Sequence, residues 1–173
     1  MVERNQAMRA RQGGQASLEF ALACAGVLFP AIFAVVFTSQ LLWVWHSVND
    51  FTRLGARYAS THCWENSAGN VLDYMHSNLP PMIGVDQFQD GTAQINVSFY
   101  AKDPDTGQLS PFQCDGDCSS GCIPDAVTVS ITGFEYRAFV TSLNLPAVAL
   151  PDFRMSLPIE SAGCDPEQGS CLP

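Results

Sequence analysis

Six cysteines and one carboxylate at the border of an apolar run are the residues of this chain whose type and spacing suggest chemistry. Cys63, Cys114, Cys118, Cys122, Cys164 and Cys171 all follow the run, and Cys24 lies inside it. Cys114, Cys118 and Cys122 stand at Cys-x3-Cys-x3-Cys, which raises zinc binding as one option. No His lies nearby, and the charge distribution places these residues in an oxidising compartment, where an even set of cysteines forms disulfides. Cys164 and Cys171 enclose six residues that include Pro166 and Gly169, so closing that loop has the smallest entropic cost. Cys63 needs a distant partner among Cys114, Cys118 and Cys122, and the remaining two pair with each other. Cys24 is left as the free thiol.

The carboxylate is Glu19. It abuts 18 consecutive apolar, Gly or Pro positions, Phe20 to Phe37. A charge at the centre of a bilayer costs roughly 2.5–3.5 kcal/mol, and less near the surface. The plainest role for Glu19 is to snorkel to the membrane interface. Other chemistry is sparse. His46, His62 and His76 are scattered, and no nucleophile elbow, phosphate loop or His-Glu-x-x-His pattern is present. Asp103, Asp105 and Gly107 are similar to the opening of a calcium loop, but Cys114 occupies the position of its closing glutamate. With Asp115, Asp117 and Asp125 they read as solvated turn acids. Asn96-Val97-Ser98 fits a glycosylation acceptor but falls within an expected strand. No catalytic residue, metal ligand or cofactor is assigned, and the chain reads as a non-enzyme.

The element that must position Glu19 is a membrane helix. A span needs about 20 mostly apolar residues, and the uncharged stretch runs on from Phe20 to Asn49. Trp43, Trp45 and His46 close it, as amphipathic rings do at the headgroups. The run is too long for a cleaved secretory signal. A lipoprotein signal ending at Cys24 fails because Glu19 interrupts its apolar part, and a buried core helix of this length is implausible in so short a chain. Pro30 cannot donate to the carbonyl of Gly26, so a mild kink is expected there. Arg4, Arg9 and Arg11 precede the span, whereas 15 acidic residues and 5 basic ones follow it. Basic flanks stay in the cytoplasm, so the N-terminus is inside and the acidic domain outside. That domain, in a chain of net charge −9, lacks the basic stripe of a nucleic-acid binder.

The junction reads Arg9-Ala-Arg-Gln-Gly-Gly14-Gln15-Ala-Ser-Leu-Glu19-Phe20. It resembles the processing site of type IV pilin-like precursors, in which a membrane peptidase cuts a short basic leader after Gly and the fifth mature residue is Glu. The resemblance implies a cut between Gly14 and Gln15 and makes Glu19 the fifth residue. Phe20 and the segment Gly55 to Tyr58 resemble the TadE-like family of the Tad (tight adherence) pilus system. That resemblance implies a minor pseudopilin of an adhesive pilus, partnered by a prepilin peptidase, other pilin and pseudopilin subunits, an inner-membrane assembly platform and the lipid bilayer. It implies a bacterial inner-membrane location, with the domain periplasmic or carried into a surface pilus. The family's pattern has the Glu pair with the N-terminus of a neighbouring subunit. A cut after Gly14 frees an amine of pKa near 8, about 6 Å of helical rise from Glu19. The rival readings are a pseudopilin of a related type II-like secretion system and a single-pass membrane-anchored binding or sensor domain.

The expected division is a leader (1–14), a transmembrane helix (15–45), a helical stem (46–63) and an extracytoplasmic α+β domain (64–173) with a cysteine-rich insert (103–125). Val48, Phe51, Leu54 and Tyr58 read as one apolar stripe on the stem. A short helix is expected over Ala68 to Ser77, with Val71, Leu72 and Met75 inward, ended by Leu79-Pro80-Pro81. Alternation at Ile95/Val97/Phe99 and Val127/Val129/Ile131 marks two strands. Met155/Leu157/Ile159 marks a third, confined to an edge by Pro158. Residues 144–151 read as loop and 163–173 as a tail pinned by its cysteines. The expected fold class is α+β: a long N-terminal helix joined to a small disulfide-bonded domain with an antiparallel sheet, pilin-like in layout.

Overall fold

Helix α1 runs over Gln15–Thr61, 47 residues. The structure, a computed structural model, describes residues 15–81, 83–137, 140–141, 144, 146–159, 161–165 and 170–171. Inside α1 the turn at Cys24–Leu28 is π-helical, and the Phe29 N–H donates to the Cys24 carbonyl. Pro30 explains it: its ring lacks an N–H and crowds the carbonyl four residues back, and a widened turn just before it takes up the mismatch. Farther along, the Thr38 and Ser39 hydroxyls donate to the Ala34 and Val35 carbonyls, at 2.9 and 2.7 Å, so the helix satisfies them itself.

Contacts divide the chain into two units, residues 1–42 and 43–173. Among the described residues of the first unit, none is buried. In the second unit, the C-terminal part of α1 buries Val44, Val48, Phe51, Thr52, Gly55, Ala56 and Ala59. The expected stripe is therefore partly corrected. Val48 and Phe51 are fully buried, Tyr58 is half-buried, and Leu54 is 40% exposed. Small residues take the inward positions instead, because they let the neighbouring helix approach closely. That neighbour is α2, Gly69–Ser77, which buries Val71 and Met75 and leaves Leu72 only half-buried. A Cβ added at Gly55 would meet Met75 Cε at 2.8 Å. Gly55→Val is accordingly expected to destabilise the domain by about 1–3 kcal/mol through overpacking, despite the helix preference of up to about 1 kcal/mol against Gly. A lowered urea midpoint checks this; an unchanged one means Met75 swings aside without cost.

The main sheet comprises β1 (Gln94–Lys102), β2 (Leu109–Pro111), β3 (Ala126–Thr132) and β6 (Phe153–Pro158), all antiparallel, in the order β2-β1-β3-β6. Register aligns three apolar rows on one face: Ile95/Ile131/Phe153, Val97/Val129/Met155 and Phe99/Val127/Leu157. Val127, Val129 and Ile131 on the central strand are completely buried. Aromatic rings close the layer between this face and the helices. Trp45 of α1 meets Phe153 edge-on at 5.1 Å, and Trp64, just past α1, meets Phe99 at 6.5 Å and Phe112 at 5.1 Å. The opposite face carries Asn96, Ser98, Thr128, Ser130, Arg154 and Ser156, with a 2.8 Å hydroxyl pair between Thr128 and Ser156. β6 is an edge strand ending in Pro158, as the sequence reading requires, and β2 at the other edge ends in Pro111.

Smaller elements complete the domain. Helix α3 (Val85–Gln89) buries Gln87, whose amide exchanges two 2.9 Å bonds with the Glu135 backbone. Two short ribbons, β4–β5 (Glu135–Tyr136 with Val148–Ala149) and β7–β8 (Cys164–Asp165 with Ser170–Cys171), lie outside the main sheet. The first puts one of its two strands, Val148–Ala149, inside the stretch expected to be loop. The second shapes the tail expected to be pinned by its cysteines.

Candidate functional site

The N-terminal turns of α1 carry the sequence's strongest signal. Gly14 and the leader residues 1–14 lie outside the described residues. From Gln15 the chain is helical, which sets Gln15 and Glu19 one turn apart on the same face. The Gln15 amide Nε2 donates to Glu19 Oε1 at 3.5 Å. Glu19 is exposed and Phe20 is 72% exposed. The following apolar side chains are exposed as well, among them Leu22, Val27, Phe29 and Val35. Side chains so apolar need lipid or other apolar helices around them. The helix is long and apolar enough to cross a bilayer, and it anchors the chain in a membrane.

The second cluster consists of the cysteines. Disulfides join Cys63 to Cys118, Cys114 to Cys122 and Cys164 to Cys171, with Cα–Cα distances of 4.9, 5.8 and 3.8 Å. Of the three partners left open for Cys63, the structure selects Cys118. Two hydrogen bonds place it there. The Cys118 N–H donates to the Trp64 carbonyl at 2.9 Å, and the Asn66 N–H donates to Asp117 Oδ1 at 2.7 Å. Sequence reasoning did not single out Asp117 or Asn66 for this, because no local pattern links residues 51 positions apart. Glu65 lies beside the Cys63 and Cys118 sulfurs, but those sulfurs are bonded to each other and Glu65 Oε2 accepts the Asn70 N–H at 3.0 Å.

The acids of the insert act separately. Asp103 Oδ1 accepts the Asp105 and Thr106 N–H groups at 2.9 and 2.8 Å, closing the turn between β1 and β2. Those bonds, from Thr106 first and then Asp105, hold its carboxyl below the usual carboxylate range. Asp125 Oδ2 accepts the Lys102 N–H at 2.7 Å. Each of these carboxylates serves the backbone. Of the histidines, His62 stacks on Tyr58 at 3.6 Å, while His46 and His76 are exposed.

No curated protein and no solved structure matches the chain. The family profile described as TadE-like protein matches residues 14–57, the stretch that holds Gln15, Glu19 and most of α1. The family is a structural, non-catalytic pilin-type group. Through this segment, about a quarter of its length, the chain is similar to the TadE-like family.

Proposed function

We propose that this protein is a minor pseudopilin, a structural and assembly subunit of a Tad-type adhesive pilus. The observation that carries the reading is the coincidence of the family match with a bare apolar helix whose fifth residue after Gly14 is Glu19. A prepilin peptidase cuts between Gly14 and Gln15. The leader arginines hold residues 1–14 in the cytoplasm, and the disulfide-bonded domain stands in the periplasm. On assembly the helix exchanges lipid for the helices of other pilin and pseudopilin subunits, with the inner-membrane platform driving the transfer.

The physical role of the cut is to create a charge. The new α-amino group at Gln15 is mostly protonated at neutral pH. A carboxylate leaving the headgroup region needs such a partner, because an unpaired charge in low dielectric is strongly destabilising. N-terminal sequencing of the membrane-extracted protein, produced with its peptidase, tests the proposal. The expected first residue is Gln15. Retention of residues 1–14 would leave an uncut membrane-anchored domain and overturn it.

A further inference from the structure

The connectivity of the disulfides has a consequence for how the domain matures. In sequence order the bridged residues run Cys63, Cys114, Cys118, Cys122, and the bonds join first to third and second to fourth. The two bridges interleave. Neither can be made by joining neighbouring cysteines as they emerge from the membrane. Chain statistics also oppose them. Cys63 and Cys118 are 55 positions apart, whereas Cys118 is four positions from both Cys114 and Cys122. The three-halves power of separation favours either local closure over the native one by about fifty-fold.

Local conformation does not correct this bias. Cys118 sits at φ +50°, a left-handed conformation disfavoured for a residue with a Cβ. What places it against Cys63 is tertiary: its N–H on the Trp64 carbonyl and Asp117 on the Asn66 N–H. Those bonds exist only once the insert lies against the end of α1. Local bridges therefore form before the contacts that select the native pair. In the finished domain Cys63 is 1% exposed and Cys122 9%, so correction has to come before the domain closes.

We infer that this domain is a substrate of a thiol–disulfide isomerase, which resolves local bridges at Cys118 in favour of the interleaved native pair. The inference rests on the extracytoplasmic placement of the domain. A thiolate of the reduced isomerase attacks the Cys118 sulfur of a Cys114–Cys118 bridge; that S–S bond breaks and Cys114 leaves as a thiolate. The Cys63 thiolate then attacks Cys118 in the mixed disulfide, forming Cys63–Cys118 and returning the isomerase thiolate. So far there is no net oxidation. A disulfide-form oxidoreductase then takes two electrons and two protons from Cys114 and Cys122, forming their bridge.

The test uses the reduced full-length chain in detergent micelles. It is reoxidised with oxidised glutathione alone, or with catalytic reduced protein disulfide isomerase added. Samples are alkylated over time, cleaved before Asp115 and Asp117 to separate Cys114 from Cys118, and mapped by mass spectrometry. With glutathione alone, Cys114–Cys118 and Cys118–Cys122 bridges should lead while Cys63 stays alkylated. The isomerase should speed the appearance of Cys63–Cys118 tenfold or more. A Cys114→Ser/Cys122→Ser chain, which has no interleaved partner, should form Cys63–Cys118 at a rate the isomerase changes less than twofold. Early formation of Cys63–Cys118 at an isomerase-independent rate overturns the inference, as does equal isomerase dependence in the double variant. Because the assay uses the uncut chain outside a membrane, failure of the cleavage proposal leaves its outcome unaffected.

Discussion

Cells carrying Glu19→Ala are expected to insert and cleave the protein normally yet show filaments reduced to background. Removing a carboxylate makes the first turns of α1 more apolar, so partitioning into lipid does not suffer. Residue 19 lies five positions after Gly14 in sequence, and cleavage should proceed. What is lost is the partner for the amine that the proposed cleavage would create. One unpaired ammonium carried into a helix-lined interior costs about 3–5 kcal/mol per subunit, and in a polymer that penalty recurs at each addition. Glu19→Gln separates charge from shape. It keeps an acceptor for the Gln15 amide, now 3.5 Å from Glu19 Oε1, but carries no charge. Filament loss in both variants identifies the charge as the requirement, whereas normal filaments in Glu19→Ala would leave Glu19 a snorkelling residue at the interface.

The second large effect concerns stability. Replacing Cys63 and Cys118 together by Ala removes the bridge with the greatest sequence separation, 55 positions, against 7 for Cys164–Cys171. The chain-entropy relation gives about 4 kcal/mol for the first and about 2.5 kcal/mol for the second. For a domain of ordinary marginal stability, a loss of about 4 kcal/mol shifts the folding equilibrium by roughly a thousandfold. The cost falls at a buried position, because Cys63 is 1% exposed and follows directly into Trp64, whose ring contacts Phe99 and Phe112. Urea titration of the two double variants in the same detergent checks the ranking. Equal losses would show that loop size does not set the contribution.

The long helix was legible from its unbroken apolar run, and the three principal strands because each alternates. Ile95/Val97/Phe99 and Val127/Val129/Ile131 alternate cleanly, and Pro158 marked β6 as an edge. Elements without room for a period were not legible. β2 has three residues and hides in the cysteine-rich insert, α3 has five, and the paired ribbons have two per strand. Leu54 shows a different limit. Its size and spacing fit the apolar stripe, but closeness of approach, set by Gly55 against Met75, decided which face turned inward. At the candidate site, Glu19 could be found from composition alone, since a carboxylate beside 18 apolar positions has no packing explanation. The choice of Cys118 for Cys63 could not, because it depends on contacts such as Asp117 with Asn66 that form only in three dimensions.

The prolines at the two sheet margins set a limit on growth. The Phe112 N–H donates inward to the Phe99 carbonyl, and the Ile159 N–H donates inward to the Asp125 carbonyl. Strand alternation then turns the preceding position, Pro111 on one margin and Pro158 on the other, toward the outside, where each lacks a donor. A foreign strand laid along either margin meets a gap in the row of hydrogen-bond donors it needs. Where β2 and β6 end, these gaps oppose the fusion of crowded sheets into a continuous ribbon.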